Sequence, residues 1–146
     1  MQTSDDNPTH LDPSTVEEYF HLGAKTAFRL HSSPPVIMEI DPGREEIELR
    51  TPVAGSEPEV TSLERVSLSR IGRDGADWFR LVVDARDMHY EAYVLLESIV
   101  DQLKSGASFR HAVSEAVASL KDLLAGRAKL TEEKILGLLG ELMVLN

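Results

Sequence analysis

Residues 36–50 read VIMEIDPGREEIELR, and this stretch decides the fold. Val36, Met38 and Ile40 alternate with Ile37 and Glu39, and Ile47 and Leu49 alternate with Glu46, Glu48 and Arg50. Side chains in an extended chain point to opposite sides in turn, so each run is a strand with one apolar and one polar face. Between the runs, Asp41-Pro42-Gly43-Arg44 places a proline and a glycine where a tight turn requires them. The segment is therefore an antiparallel hairpin whose apolar face needs a cover.

The same grammar repeats downstream. Leu63, Val66 and Leu68, then Phe79, Leu81 and Val83, flank Gly72-Arg73-Asp74-Gly75 and predict a second hairpin. Pro52 to Pro58 connects the two. Upstream, Ser14-Thr15-Val16-Glu17 has the form of a capping box, and Val16, Tyr19, Phe20, Gly23, Ala27 and Leu30 recur at helical spacing. That pattern predicts a helix of about 17 residues, stopped by Ser32-Ser33-Pro34-Pro35. After Asp87 the period is helical again. Tyr93, Leu96, Val100 and Leu103 mark one helix ending near Ser105-Gly106, Phe109 to Leu124 mark a second ending at Gly126, and Leu130 to Asn146 reads as a third. The expected class is α+β: an N-terminal helix, a four-stranded antiparallel sheet of two successive hairpins, then three C-terminal helices. The expected division is a leader over 1–13, an α+β domain over 14–126 and a separate helix over 127–146.

Composition narrows the function. A chain of 146 residues with 42% hydrophobic content makes one ordinary domain. No cysteine is present, so disulfides, thiolate zinc sites and thiol nucleophiles are excluded. The polar, acidic N-terminus and the lack of a long apolar run predict a cytoplasmic protein with no membrane partner. Net charge is −10, from 25 acidic and 15 basic side chains. Such a surface repels phosphates unless its cations are gathered, and the nearest approach to a cluster lies between Arg65 and Arg80.

Few residues group by chemistry. The 5 histidines include no HExxH, and His111 with Glu115 is a helix-surface pair of the common i,i+4 kind. Asp84, Asp87, His89 and Glu91 gather where a strand passes into a helix, a place at which oxygen ligands for Mg²⁺ can assemble. Capping and the helix dipole account for acids there more simply. Gly-x-Ser-x-Gly, Walker and dinucleotide-binding loops are all missing. A helix-turn-helix reading of the last two helices fails because the middle of the terminal one is apolar on nearly every side.

The terminal stretch carries the remaining signal. Thr131, Glu132 and Glu133 open an apolar helix containing Ile135, Leu138, Leu139 and Leu142, and nothing in its sequence closes it. We therefore expect the chain to be a fragment of a longer protein. Glu141 is the one acid inside that helix, preceded by Gly137 and Gly140, and composition alone favours placing it on a wet stripe. The exposed apolar faces would fold back on the domain or pair with a second copy as a homodimer.

The run Leu130-Thr131-Glu132-Glu133 followed by Gly137-Leu138-Leu139-Gly140-Glu141-Leu142, together with Trp78-Phe79-Arg80-Leu81 and the helices between, resembles the N-terminal half of a bacterial PD-(D/E)XK family associated with restriction and phage defence. The resemblance covers residues 36–146. It implies that the parent protein is a DNA endonuclease using Mg²⁺, with Glu141 as the catalytic and metal-binding acid of the first core helix. It also implies that the Asp strand and the Glu-x-Lys strand belong to a C-terminal nuclease core outside this sequence, and that DNA is met through the parent protein. Glu132-Glu133-Lys134 sits at a helix start and is no substitute for them. On this reading the chain alone is catalytically incomplete; the alternative is a self-standing interaction or scaffold domain.

Overall fold

The computed structural model describes residues 11–61 and 63–125, with side chains through 119. Its elements are α1 (Pro13–His21), β1 (Thr26–Ser32), β2 (Pro35–Asp41), β3 (Glu46–Pro52), β4 (Val66–Arg73), β5 (Ala76–Asp84), α2 (His89–Lys104) and α3 (Phe109–Ala125). The five strands form one antiparallel sheet in the order β1-β2-β3-β5-β4. The α+β class holds. The third C-terminal helix expected over 130–146 lies outside the described residues.

Both expected hairpins are present. β2 and β3 pair from Ile37↔Arg50 to Asp41↔Glu46, and the Asp41 carboxylate accepts a hydrogen bond from the Arg44 amide at 3.2 Å across the turn. β4 and β5 pair from Val66↔Val83 to Arg73↔Ala76. Their turn carries positive φ at Asp74 (54°) and Gly75 (79°), the pair of left-handed residues that a two-residue hairpin demands. Leu63, grouped with this strand by pattern, precedes it in the loop and is buried there.

The N-terminal region differs from the expected course. The helix stops at His21 instead of continuing toward Leu30, and the sheet gains a fifth strand, β1. Gly23, at φ 81°, takes the left-handed conformation that ends helices, after which Phe28 and Leu30 alternate along β1. Phe28 then lies opposite Met38, and β1 joins β2 through Ser33-Pro34, whose peptide bond is cis. The cap also shifts. Asp12, not Ser14, is the N-cap: its carboxylate accepts from the Thr15 amide at 2.9 Å, and Pro13 occupies the first helical position, where its missing N–H costs nothing. Within the segment expected as a leader, residues 11–13 are thus part of the fold, and the Leu11 amide donates to the Tyr93 hydroxyl at 2.9 Å.

One face of the sheet is closed. Met38, Ile40, Ile47, Leu49, Phe79, Leu81 and Val83 are fully buried beneath α1, α2 and α3. α1 contributes Val16 and Phe20, α2 contributes Leu95, Leu96 and Ile99, and Phe109 of α3 stacks on Phe79 with ring centroids 4.9 Å apart. Among the described residues, no helix is long and apolar enough to cross a membrane.

Candidate functional site

The other face of the sheet is open, and the register sorts it into rows. Glu39 lies opposite Glu48, and Asp41, Glu46 and Asp84 stand in line across β2, β3 and β5. Like charges directly opposite one another on a sheet destabilise it, so these rows need cations. Arg50 bonds both Glu39, at 3.2 Å, and Glu48, while the Arg80 Nε donates to Glu48 at 2.9 Å. Lys25 stands 3.9 Å from Glu39 and 4.0 Å from Asp41. Asp84 is held by a two-pronged contact with Arg86, at 3.0 and 2.7 Å, and these hydrogen bonds keep its carboxyl below the usual range. Glu46, between two acids, pairs with no basic side chain among the described residues. Lys25, Glu39, Asp41, Glu46, Glu48 and Arg80 line a hollow of about 190 Å³. At the far end of the same face, Trp78 lies opposite Pro52 and Ile71, forming a half-buried apolar patch.

A second constellation forms at the start of α2. The group Asp84, Asp87, His89 and Glu91, adjacent in sequence, is divided by the fold. Asp84 turns to Arg86, while His89 reaches back to two acids the sequence had not linked to it. Its Nδ1 is 3.0 Å from both carboxylate oxygens of Glu17 on α1, and its Nε2 is 3.0 Å from Glu45 in the β2–β3 turn. The ring lies flat on Phe20, with centroids 3.8 Å apart and planes at 10°. A hollow of about 340 Å³ beside it is lined by Glu17, Glu45, Asp87 and Glu91. The two carboxylates face opposite nitrogens of one ring and so do not converge on a common point for a metal. Among the described residues, no group of three His, Asp or Glu side chains could hold a metal ion.

The remaining sequence candidates fall as follows. Arg65 donates to the Arg86 carbonyl, Arg70 pairs with Glu57 and stands 5.6 Å over the Phe79 ring, and Arg80 serves Glu48. These three arginines are thus spent on internal contacts, while Arg73 is exposed. His111 and Glu115 are exposed on α3. Glu141, with the Glu132-Glu133-Lys134 string, lies outside the described residues, so the fit of Mg²⁺ to it is untouched by this geometry.

Two buried polar groups lie on α2: Glu97, for which the sequence pattern gave no role, and the phenol of Tyr93, which marks the helix's apolar face. Glu97 is 7% exposed on α2. The Tyr93 phenol is pushed up to about 12, first by burial and further by the nearby Glu97 charge, while its bond from the Leu11 amide works the other way. A helix-face acid four residues after a core tyrosine was the available signal for both. No family model, no curated protein and no solved structure matches this chain.

Proposed function

We propose that this domain is the N-terminal module of a PD-(D/E)XK-type DNA endonuclease of a defence system, and that it positions a nuclease core without completing an active site of its own. The observation that carries the reading is the open sheet face: one side of the sheet is sealed by helices, and the other presents ordered ion pairs and the Trp78 patch without a covering element among the described residues. A neighbouring domain would find there a flat, partly apolar surface with a half-buried tryptophan, the side chain most often prominent at the centre of such contacts. In this reading Glu141 supplies one acid of the Mg²⁺ site, and the resemblance places the others on strands of the core.

The test uses a polypeptide in which this domain is continued by the Asp and Glu-x-Lys strands. It should nick plasmid DNA when Mg²⁺ is present, and Glu141→Ala should abolish nicking, whereas the 146-residue chain should leave the plasmid intact. Full cleavage with Ala at 141 would refute the assignment of Glu141. The second reading, a self-standing interaction domain, is favoured by the same open face, and it prevails if the longer polypeptide binds partners but never cuts.

A further inference from the structure

His89 ties together residues 72 and 44 positions away in the chain, and it is the side chain on which α1, the β2–β3 turn and α2 all meet. We propose that this clasp is a proton-operated latch on α1, closed while the His89 ring carries two protons and opened on one arm when it loses one. This inference is independent of the nuclease reading. Ionised carboxylates accept hydrogen bonds and cannot donate them. The contacts to Glu17 and to Glu45 are therefore hydrogen bonds together only on the imidazolium. A neutral ring satisfies one carboxylate and turns a lone pair toward the other.

The geometry directs the consequence to α1. The helix has nine residues, too few to stand alone in water, so its docking contacts hold it. They include Val16 and Phe20 in the core, the Tyr19 ring edge-on to Phe28 at 5.1 Å, the Leu11 bond to Tyr93, and the clasp itself. The latch requires that the ring give up its Nδ1 proton, which releases the Glu17 arm while Nε2 keeps its bond to Glu45. The charged and titratable groups around the ring are Glu17 and His21 from α1, Glu45 from the turn, Arg86 and Asp87 from the connection after β5, and Tyr90 and Glu91 from α2. The His21 Nδ1 is 2.8 Å from the Glu17 carbonyl, one turn along, and is not part of the clasp.

The experiment is amide exchange on the full 146-residue chain, followed by NMR while the His89 ring signals report its protonation. Rates are corrected for the intrinsic effect of pH. The protection of the Tyr19 and Phe20 amides, relative to Leu49 on β3, should fall about threefold as His89 deprotonates, the size expected for one partly exposed ion pair. Glu17→Gln keeps the size and hydrogen-bonding capacity of the side chain and should remove this pH response without unfolding the domain. Glu45→Gln should leave the Glu17 arm intact at both extremes and likewise flatten the response. Constant relative protection of α1 through the titration of His89 would overturn the proposal. So would a full response retained in both variants.

Discussion

The two faces of β2, β3 and β5 are built from alternating residues of the same strands yet obey opposite rules. On the inner face, Met38, Ile40, Ile47, Leu49, Leu81 and Val83 are fully buried, and each stabilises the fold by leaving water. On the outer face, acids stand opposite acids, and arginines offset a repulsion that other residues would not have created. The inner face is explained by stability alone. The outer face costs stability where Glu46 separates Asp41 from Asp84, so its pattern suits contact with something outside the domain better than it suits the isolated fold.

Substitutions can break this contrast. Leu81→Ala, on the inner face, should have the largest effect, lowering the unfolding free energy by about 3 kcal/mol in a urea titration, because it leaves a cavity beneath the helices. Arg50→Gln, on the outer face, should cost about 1 kcal/mol, since Glu39 and Glu48 then face each other without their shared cation. Glu46→Lys should instead stabilise the domain by about 0.5 kcal/mol, by placing a cation between two acids. If Glu46→Lys destabilises as Leu81→Ala does, the two faces do not differ in the way described.

The faces should also fail at opposite ends of the pH scale. The Asp84 carboxyl on the outer face is held low by Arg86, so its contribution is present above the ordinary carboxylate value and is lost as pH falls. Tyr93, in the helix layer over the inner face, is raised by burial from 10.0 to about 12. Its contribution is complete below 10 and is lost as pH rises through 12, because the unfolded chain ionises first. Arg86→Gln should remove part of the acid limb of the stability profile and leave the alkaline limb in place. Tyr93→Phe should do the reverse, with ultraviolet difference spectra locating the late tyrosine.

Much of this arrangement was legible in the residues. The alternation from Val36 to Arg50 and the Asp41-Pro42-Gly43 turn specify the central hairpin because the strand period and turn chemistry agree there. The first helix was overextended because Ala27 and Leu30 fall on the helical face of Val16 and Phe20 by coincidence of spacing. Asp12-Pro13 and Gly23 were the local signs of its true ends, a cap with proline at the first turn and a left-handed stop. The pairing of β3 with β5, and with it the acid row, depends on which strands become neighbours across the long connection before β4. His89 stands among acids in the sequence, but its partners are distant in the chain and are brought to it only by the packing of α1 and the β2–β3 turn.

The open face is proposed to position a catalytic core, and one rate tests it. In the polypeptide that joins this domain to the nuclease strands, the double substitution Ile71→Gln and Trp78→Gln alters the half-buried apolar patch without touching the buried face. The initial rate of Mg²⁺-dependent plasmid nicking should fall by about tenfold or more, the scale of a misplaced catalytic group, while circular dichroism shows the domain still folded. An unchanged rate in a folded variant would contradict the account.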